Sequence, residues 1–317
     1  MRIAQIVEPG HILLREVDMP KLEPGKVLVR MEKVALCGSD LPHFGGEREG
    51  AVYPLEEGRN GHECLGVVVE SDDGGFHPGD RVLVLPPSQN GLAEYMQVSP
   101  MQLLALPGDM DADVVLMTQL LGTVIHCVRQ IGNVVGGTVA LVGQGPVGLL
   151  FSAMMRNLGA KWIVGIDRLA YRLKVSERMG ATHVVDASRV DPIAVLSEIT
   201  QGKMADLAVE AVGTAEAGNL CMDLVRHGGT VIQFGVPRTR VIGWEVEKLL
   251  RKELRVIASV GPDRDRDYGL ALDFIVQGRV DVRPMITHHV PFEEVQRAFD
   301  LAYGKKDGAV KVVVEFQ

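Results

Sequence analysis

Five residues that read as a strand, Thr138-Val-Ala-Leu-Val142, run directly into Gly143-Gln-Gly145-Pro146-Val147-Gly148 and then into an apolar stretch of helical spacing. No other segment constrains the fold as much, because a glycine-rich turn between strand and helix marks one kind of βαβ unit. Gly143 permits the tight turn, Gly145 the close approach of a diphosphate, and Gly148 the close packing of helix on strand. The amides at that helix N-terminus are a ready-made anion site. The following strand, Trp162-Ile-Val-Gly-Ile166, ends in Asp167, about 20 residues past the motif, where a carboxylate accepts the adenosine-ribose hydroxyls. A carboxylate there repels a 2′-phosphate and favours NAD over NADP, a preference that the neighbouring Arg168 tempers. Outside this context the same residues would be a packing turn and a surface Asp.

The spacing of apolar residues predicts a helix over Val114–Gln130, then strands at Val139–Val142, Ile163–Ile166, His183–Val185, Leu207–Glu210 and Thr230–Phe234. Between them fall helices at Val147–Leu158, Tyr171–Met179, Pro192–Thr200 and Glu216–Val225. Such alternation is the signature of an α/β fold with a doubly wound parallel sheet. The first part differs. Val27–Met31, Leu65–Glu70 and Arg81–Leu85 are short β runs separated by Pro/Gly turns, which predicts a β-rich, barrel-like module. After Val260 comes the charged run Pro262–Asp267, read as a solvated connection. A helix over Tyr268–Gln277, another after Val290–Glu294, and a last strand at Val310–Phe316 follow. A chain of 317 residues is expected to need more than one hydrophobic core. The tail is expected to return to the first module, giving domains 1–119 with 261–317, and 120–260.

Composition excludes some partners. A net charge of −8 argues against nucleic acid, whose phosphates demand clustered Lys and Arg. The four cysteines, Cys37, Cys64, Cys127 and Cys221, are too sparse for a disulfide framework and fit a reduced, cytoplasmic location. The opening Met1–Pro9 carries a charge at Arg2 and lacks the apolar core of a signal peptide. The uncharged run between Arg129 and Arg156 meets the length rule for a membrane span. Its glycines and Pro146 instead arrange it as strand, turn and helix, and no membrane association is expected.

Cys37-Gly38-Ser39-Asp40 and, 25 residues after Cys37, Gly61-His62-Glu63 offer a thiolate, an imidazole and a carboxylate, donor types that zinc prefers. Each has an ordinary reading alone, Cys37 as a small core residue and His62 as a hydrogen-bonded core group. Their polar settings favour the ligand reading. Together with HPGDRV at 77–82, GLAEY at 91–95, GQGPVG at 143–148 and the closing VKVVVEF, these motifs resemble the zinc-dependent medium-chain dehydrogenase/reductase family over nearly the whole chain. The gap from Cys37 to His62 is most similar to its polyol (sorbitol/threonine) branch.

The resemblance implies a GroES-like catalytic domain, a Rossmann NAD-binding domain and one catalytic zinc. Position by position, it makes Cys37 and His62 zinc ligands, and Glu63 a ligand or a near neighbour that exchanges with water. Asp40 becomes the group that orients the His62 imidazole, and Ser39 the hydroxyl that takes the substrate proton. Thr123, Gly143, Gly145, Pro146, Val147, Gly148, Asp167 and Arg172 fall at cofactor positions, with Gly213, Val236 and Val260 near the nicotinamide half.

Three departures stand out. The third protein ligand aligns with Gln119, a neutral amide that is either a weak donor, leaving net +1 on the zinc unless Glu63 binds, or a polar residue near the cofactor. The lobe carrying four structural-zinc cysteines is missing, since Leu85–Asn90 runs straight into Gly91; no second zinc is expected, and Cys64 reads as packing. Finally, the relay histidine five residues after the zinc cysteine is replaced by Pro42, and His43, one residue later, is the alternative relay.

The function this implies is hydride transfer between a secondary alcohol or polyol and NAD(H), with zinc lowering the alcohol's pKa and Ser39 passing the proton toward the ribose hydroxyl and solvent, with His43 as a candidate conduit. Two other readings stay open: a zinc-independent NAD(P)H-dependent enone or quinone reductase of the same superfamily, and a regulatory protein that binds NAD without turnover. Phe44, Arg48, Tyr53 and Arg59 lie between the zinc motifs and are candidate pocket residues. Arg48 or Arg59 would favour an acidic or hydroxyl-rich substrate, unless they are simply surface arginines. A homodimer or homotetramer is expected through the nucleotide domain, with the apolar Gly229–Val236 strand contributing.

Overall fold

A computed structural model describes all 317 residues, and the chain divides into two units. The first comprises Met1–Leu120, Arg264–Ile275 and Ile286–Gln317; the second comprises Leu121–Asp263 and Val276–Met285.

In chain order the first unit begins with β1 (Arg2–Glu8), β2 (His11–Glu16), β3 (Val27–Ala35), the short α1 (Leu41–Phe44), β4 (Glu63–Ser71), β5 (Arg81–Val84), β6 (Tyr95–Val98), β7 (Leu103–Ala105) and α2 (Ala112–Leu116). Helix α3 (Thr118–Val128) carries the chain into the second unit. That unit alternates β8 (Thr138–Val142), α4 (Pro146–Asn157), β9 (Trp162–Asp167), α5 (Ala170–Arg178), β10 (His183–Asp186), α6 (Pro192–Thr200), β11 (Ala205–Glu210), α7 (Ala215–Leu224), β12 (Val225–Gln233), α8 (Val246–Arg251) and β13 (Arg255–Ala258). The chain closes with α9 (Gly269–Val276), β14 (Ile286–Pro291), α10 (Val295–Gly304) and β15 (Lys311–Glu315).

The first unit is a β-rich, GroES-like module. Its main sheet runs β14-β15-β3-β4-β5-β7, with β6 also on β3, and β1 and β2 form a separate hairpin. Val29, Met31, Val34, Val68, Val82 and Val84 meet Phe292, Phe299 and Phe44 in one core, while Leu28, Leu65 and Leu83 of the same strands are buried as well. The second unit has six parallel strands in the order β10-β9-β8-β11-β12-β13, with Val139–Leu141 and Ala208–Val209 buried on both sides. This is the Rossmann-like arrangement that the strand–helix alternation anticipates. The order reverses between β8 and β11, the switch point at which such sheets bind ligands beyond the strand C-termini.

Several local expectations are corrected. The helix expected over Val114–Gln130 is two, because Met117 closes α2 with a tight turn onto Val114 and α3 starts afresh at Thr118. The charged run Pro262–Asp267 is not simply solvated: Asp267 is fully buried and paired with Arg266, and Arg264 donates to the carbonyls of Pro100 and Leu103. The tail does not return as one piece, since Val276–Met285 groups with the second unit. Strand β12 is paired on both sides, by β11 and β13, so its apolar sequence is interior rather than a free contact surface. The run between Arg129 and Arg156 is strand, turn and helix, and no helix is long and apolar enough to cross a membrane.

Candidate active site and nucleotide turn

Sheet register brings the two candidate metal motifs together. Ala35 at the end of β3 is the antiparallel partner of Glu63 at the start of β4, so Cys37 leaves one strand where His62 enters the next. The donor atoms of Cys37, His62 and Glu63 all lie within 4.8 Å of one another. Asp40 underpins the group. Its carboxylate accepts Cys37 N–H at 2.8 Å and Gly61 N–H at 3.2 Å and lies 3.5 Å from His62 Nδ1. Burial alone would raise Asp40, yet the His62 charge and these N–H groups hold it below the usual carboxylate range. Burial would likewise lower His62, but Asp40 and Cys37 push it well above the ordinary imidazole value. Asn60 locks the same turn, donating from Nδ2 to Asp40 O at 3.1 Å.

Glu63 is fully buried against an equally buried lysine. Lys311 Nζ lies 2.6 Å from both carboxylate oxygens and 3.1 Å from Leu36 O, but only Oε1 receives a well-directed hydrogen bond. Gln119 is buried on α3, where its Nε2 makes a long 3.5 Å bond to Tyr268 O–H and its Oε1 has no partner. Burial, despite that bond, pushes the Tyr268 phenol above its ordinary value, and the charge of Glu63 adds to the effect. Three convergent donors of the types zinc takes, with orphaned oxygens on Glu63 and Gln119, fit a single ion.

Ser39 is half-buried on the turn after Cys37. In α1, Pro42 and Phe44 are buried in the core, and His43 is half-buried with its Nδ1 enclosed and unpartnered. Its carbonyl accepts the Tyr53 hydroxyl. Burial, then the charges of Arg59 and Arg48, lower the His43 imidazole, with Asp40 opposing.

In the second unit the glycine turn has the form its sequence requires. Gly143 sits at φ +94°, and a Cβ on Gly148 would collide with the carbonyl of Gly143. Gly145 caps α4 with Pro146 at the first helical position, Val147 following. A Cβ on Gly145 would meet only Arg172 Nη1, at 3.6 Å, so the turn opens beside a guanidinium. This space and this charge fit a diphosphate. Asp167 accepts Gln144 N–H at 2.7 Å, Arg168 N–H at 2.7 Å and Leu169 N–H at 3.0 Å, with Arg172 Nη1 at 3.9 Å. Thr123 is half-buried on α3, Gly213 sits at φ +87° after β11, and Val236 and Val260 are exposed.

Sequence reasoning missed two residues here. Lys311 is a lone charge inside Ala309-Val-Lys-Val-Val-Val314, a pattern that predicts a buried counter-charge. Gln144 occupies a variable position of the glycine motif but is fully buried, donating to Leu141 O and Gly143 O and accepting from Ser152 and Ser176. Cys64 is packing, as expected: it is buried, and its thiol is raised by burial.

Residues 23–116 match the alcohol dehydrogenase GroES-like domain, and residues 146–277 match the zinc-binding dehydrogenase domain. An L-threonine 3-dehydrogenase of Bacillus velezensis is 26% identical over 95% of this chain and 94% of its own length. A D-arabitol-phosphate dehydrogenase of Enterococcus avium is 26% identical over 97% and 95%. A protein of Sinorhizobium meliloti 1021 described as a zinc-binding dehydrogenase, with its structure solved bound to NADP, superposes with a TM-score of 0.84 at 27% identity, over 99% of this chain and 98% of its own.

Proposed function

The chain belongs to the zinc-dependent medium-chain dehydrogenase/reductase family, and from that premise we propose that it transfers hydride between a secondary alcohol or polyol, or the matching ketone, and NAD(H). The observation that carries the reading is the convergence of Cys37, His62 and Glu63 within 4.8 Å in a chain that also holds a glycine turn closed on Asp167. The unit of Met1–Leu120, Arg264–Ile275 and Ile286–Gln317 takes the catalytic role in this reading, and the unit of Leu121–Asp263 and Val276–Met285 the nucleotide role.

Cys37 and His62 would hold one zinc, with Glu63 Oε2 and Gln119 Oε1 as the unpartnered oxygens available to complete its shell. Zinc there supplies the Lewis acidity that takes the pKa of bound water from about 15.7 to about 7 and would act likewise on an alcohol. Asp40, 3.5 Å from His62 Nδ1, would orient the imidazole and leave its other nitrogen for the ion. The Ser39 hydroxyl accepts the substrate proton and passes it toward the ribose hydroxyl and solvent, with His43, whose pKa burial and then the charges of Arg59 and Arg48 lower, on the way out. Hydride chemistry itself belongs to the nicotinamide. The turn at Gly143–Gly148, with Arg172, holds the diphosphate, and Asp167 selects NAD over NADP by repelling a 2′-phosphate. The free cysteines suit a reducing cytoplasm, and an unpaired β13 edge suits assembly into dimers or tetramers.

Zinc content per chain, measured on protein purified without chelator, followed by NAD reduction with a panel of polyols and secondary alcohols, tests the reading. One zinc and turnover support it. Two zincs would reveal a second metal site. No zinc after replenishment, with NAD(P)H-dependent enone reduction, would replace it by the zinc-independent reductase.

A further inference from the structure

Strand β11 ends in Glu210, a fully buried carboxylate with no cation among its partners. Its Oε1 accepts the backbone N–H groups of Val212 and Gly213, each at 2.7 Å, and its Oε2 accepts Gln233 Nε2 at 2.7 Å. Its own carbonyl accepts Phe234 N–H at 3.0 Å and Gly235 N–H at 2.9 Å. One residue therefore ties the turn after β11 to the exit of β12. The two turns press together so closely that a Cβ on Gly213 would strike the carbonyl of Val236, and one on Gly235 would strike the amide of Gly213. Gln233 Nε2 also donates to Gly235 O at 2.9 Å, bracing the same exit.

An ionised carboxylate is an expensive way to close a turn, because burial opposes its charge. A Ser or Asn hydrogen-bonding locally would close a turn without that cost. The distinctive product of the Glu210 network is the fixed position of Val212 and Val236, whose apolar side chains remain about half exposed at 51% and 47%. Their turn stands beside the glycine motif: Ala211 N–H donates to Val142 O at 2.9 Å, and a Cβ on Gly143 would meet Val212 Cγ2 at 2.7 Å. It thus forms the wall of the β8/β11 switch point on the side away from β9 and Asp167. A dinucleotide with its adenosine at Asp167 and its diphosphate at Gly145 must lay its other half toward that wall.

We propose that Glu210 is a positioning residue for the nicotinamide half of the cofactor, fixing Val212, Gly213 and Val236 as the surface against which that half packs. The inference rests on the dinucleotide reading above. Its test is calorimetric titration of the zinc-loaded protein with NADH and with ADP-ribose, which lacks the nicotinamide ring. In Glu210→Gln, the NADH Kd should rise at least about tenfold, the equivalent of one lost charge-assisted hydrogen bond, while the ADP-ribose Kd stays within about twofold. Gln233→Leu, which removes one strut and leaves the carboxylate, should give the same split at smaller size and serves if the first variant fails to fold. Equal weakening for both ligands, or no weakening of NADH, would reduce Glu210 to fold support and overturn the proposal. If the unaltered protein bound neither ligand, the dinucleotide reading itself would fall, and the role of Glu210 with it.

Discussion

Lys311 Nζ sits 2.6 Å from both carboxylate oxygens of Glu63, and neither side chain has any exposure to solvent. Strand register explains the pairing: β15 flanks β3 on one side and β4 flanks it on the other, so both residues arrive beside Leu36 and Cys37. A buried pair of this kind contributes little net stability, but removing one partner strands a charge, at a cost of roughly 3–5 kcal/mol. Lys311→Met should therefore destabilise the zinc-free protein by about that amount in urea unfolding, and adding Glu63→Gln should recover most of it. With zinc loaded the single variant should lose much less, because the freed carboxylate can turn to the ion. An equal loss with and without zinc would mean that Glu63 does not reach the metal.

His43 is a histidine whose titration the surroundings displace toward neutrality, first by burial and then by Arg59 and Arg48. Its folded pKa lies below the ordinary histidine value near 6.5, so the unfolded chain binds the proton more readily. The sign follows: this contribution to stability is complete above about pH 6.5 and is lost as pH falls through the lowered folded value. Histidine ring resonances followed by NMR should place His43 below the exposed histidines, and Arg59→Gln should move it up. A titration unchanged by Arg59→Gln would show that this arginine does not tune the proposed relay.

Much of this was legible in the sequence, for reasons that individual residues make plain. Strand and helix periodicity located the Rossmann-like unit to within a few residues, because its strands are buried on both faces and leave unbroken apolar runs. Cys37 and His62 stood out because donors at the ends of strands carry their spacing in the sequence. Hidden features were those decided by long-range pairing. Lys311 meets Glu63 across 248 residues, and Asp267 looks solvated until the fold buries it. Strands β2 and β13 escaped notice because strands largely exposed to solvent carry little alternation; in β2 only Ile12 and in β13 only Ile257 is buried.

Asp167 serves two ends at once. Three backbone N–H groups already bind its carboxylate, so it shapes the turn besides making the ribose contact proposed for it. Asp167→Ser should thus weaken NAD and also remove the repulsion of a 2′-phosphate, exposing Arg168 and Arg172 as phosphate partners. The ratio of kcat/KM for NADP to that for NAD should rise by at least about tenfold, roughly 1.4 kcal/mol of altered discrimination. A proportional loss with both cofactors would assign Asp167 to the turn alone.

An unpaired strand edge invites a second chain, and β13 closes the sheet of the second unit with β12 on one side only. Apolar side chains are exposed on it and next to it in the chain: Leu250 on α8 is 74% exposed, and Val256 and Val260 are 41% and 91% exposed. Pairing of this edge with a second copy would extend the parallel sheet through an isologous contact, in which the two β13 strands run antiparallel about a twofold axis. Light scattering after size-exclusion chromatography should give at least a dimer, and Val256→Lys with Leu250→Glu should shift it to monomer without loss of the folded signal. A monomer in the unaltered protein would leave the exposed edge unexplained by self-association. An oligomer indifferent to both substitutions would place the contact elsewhere on the chain.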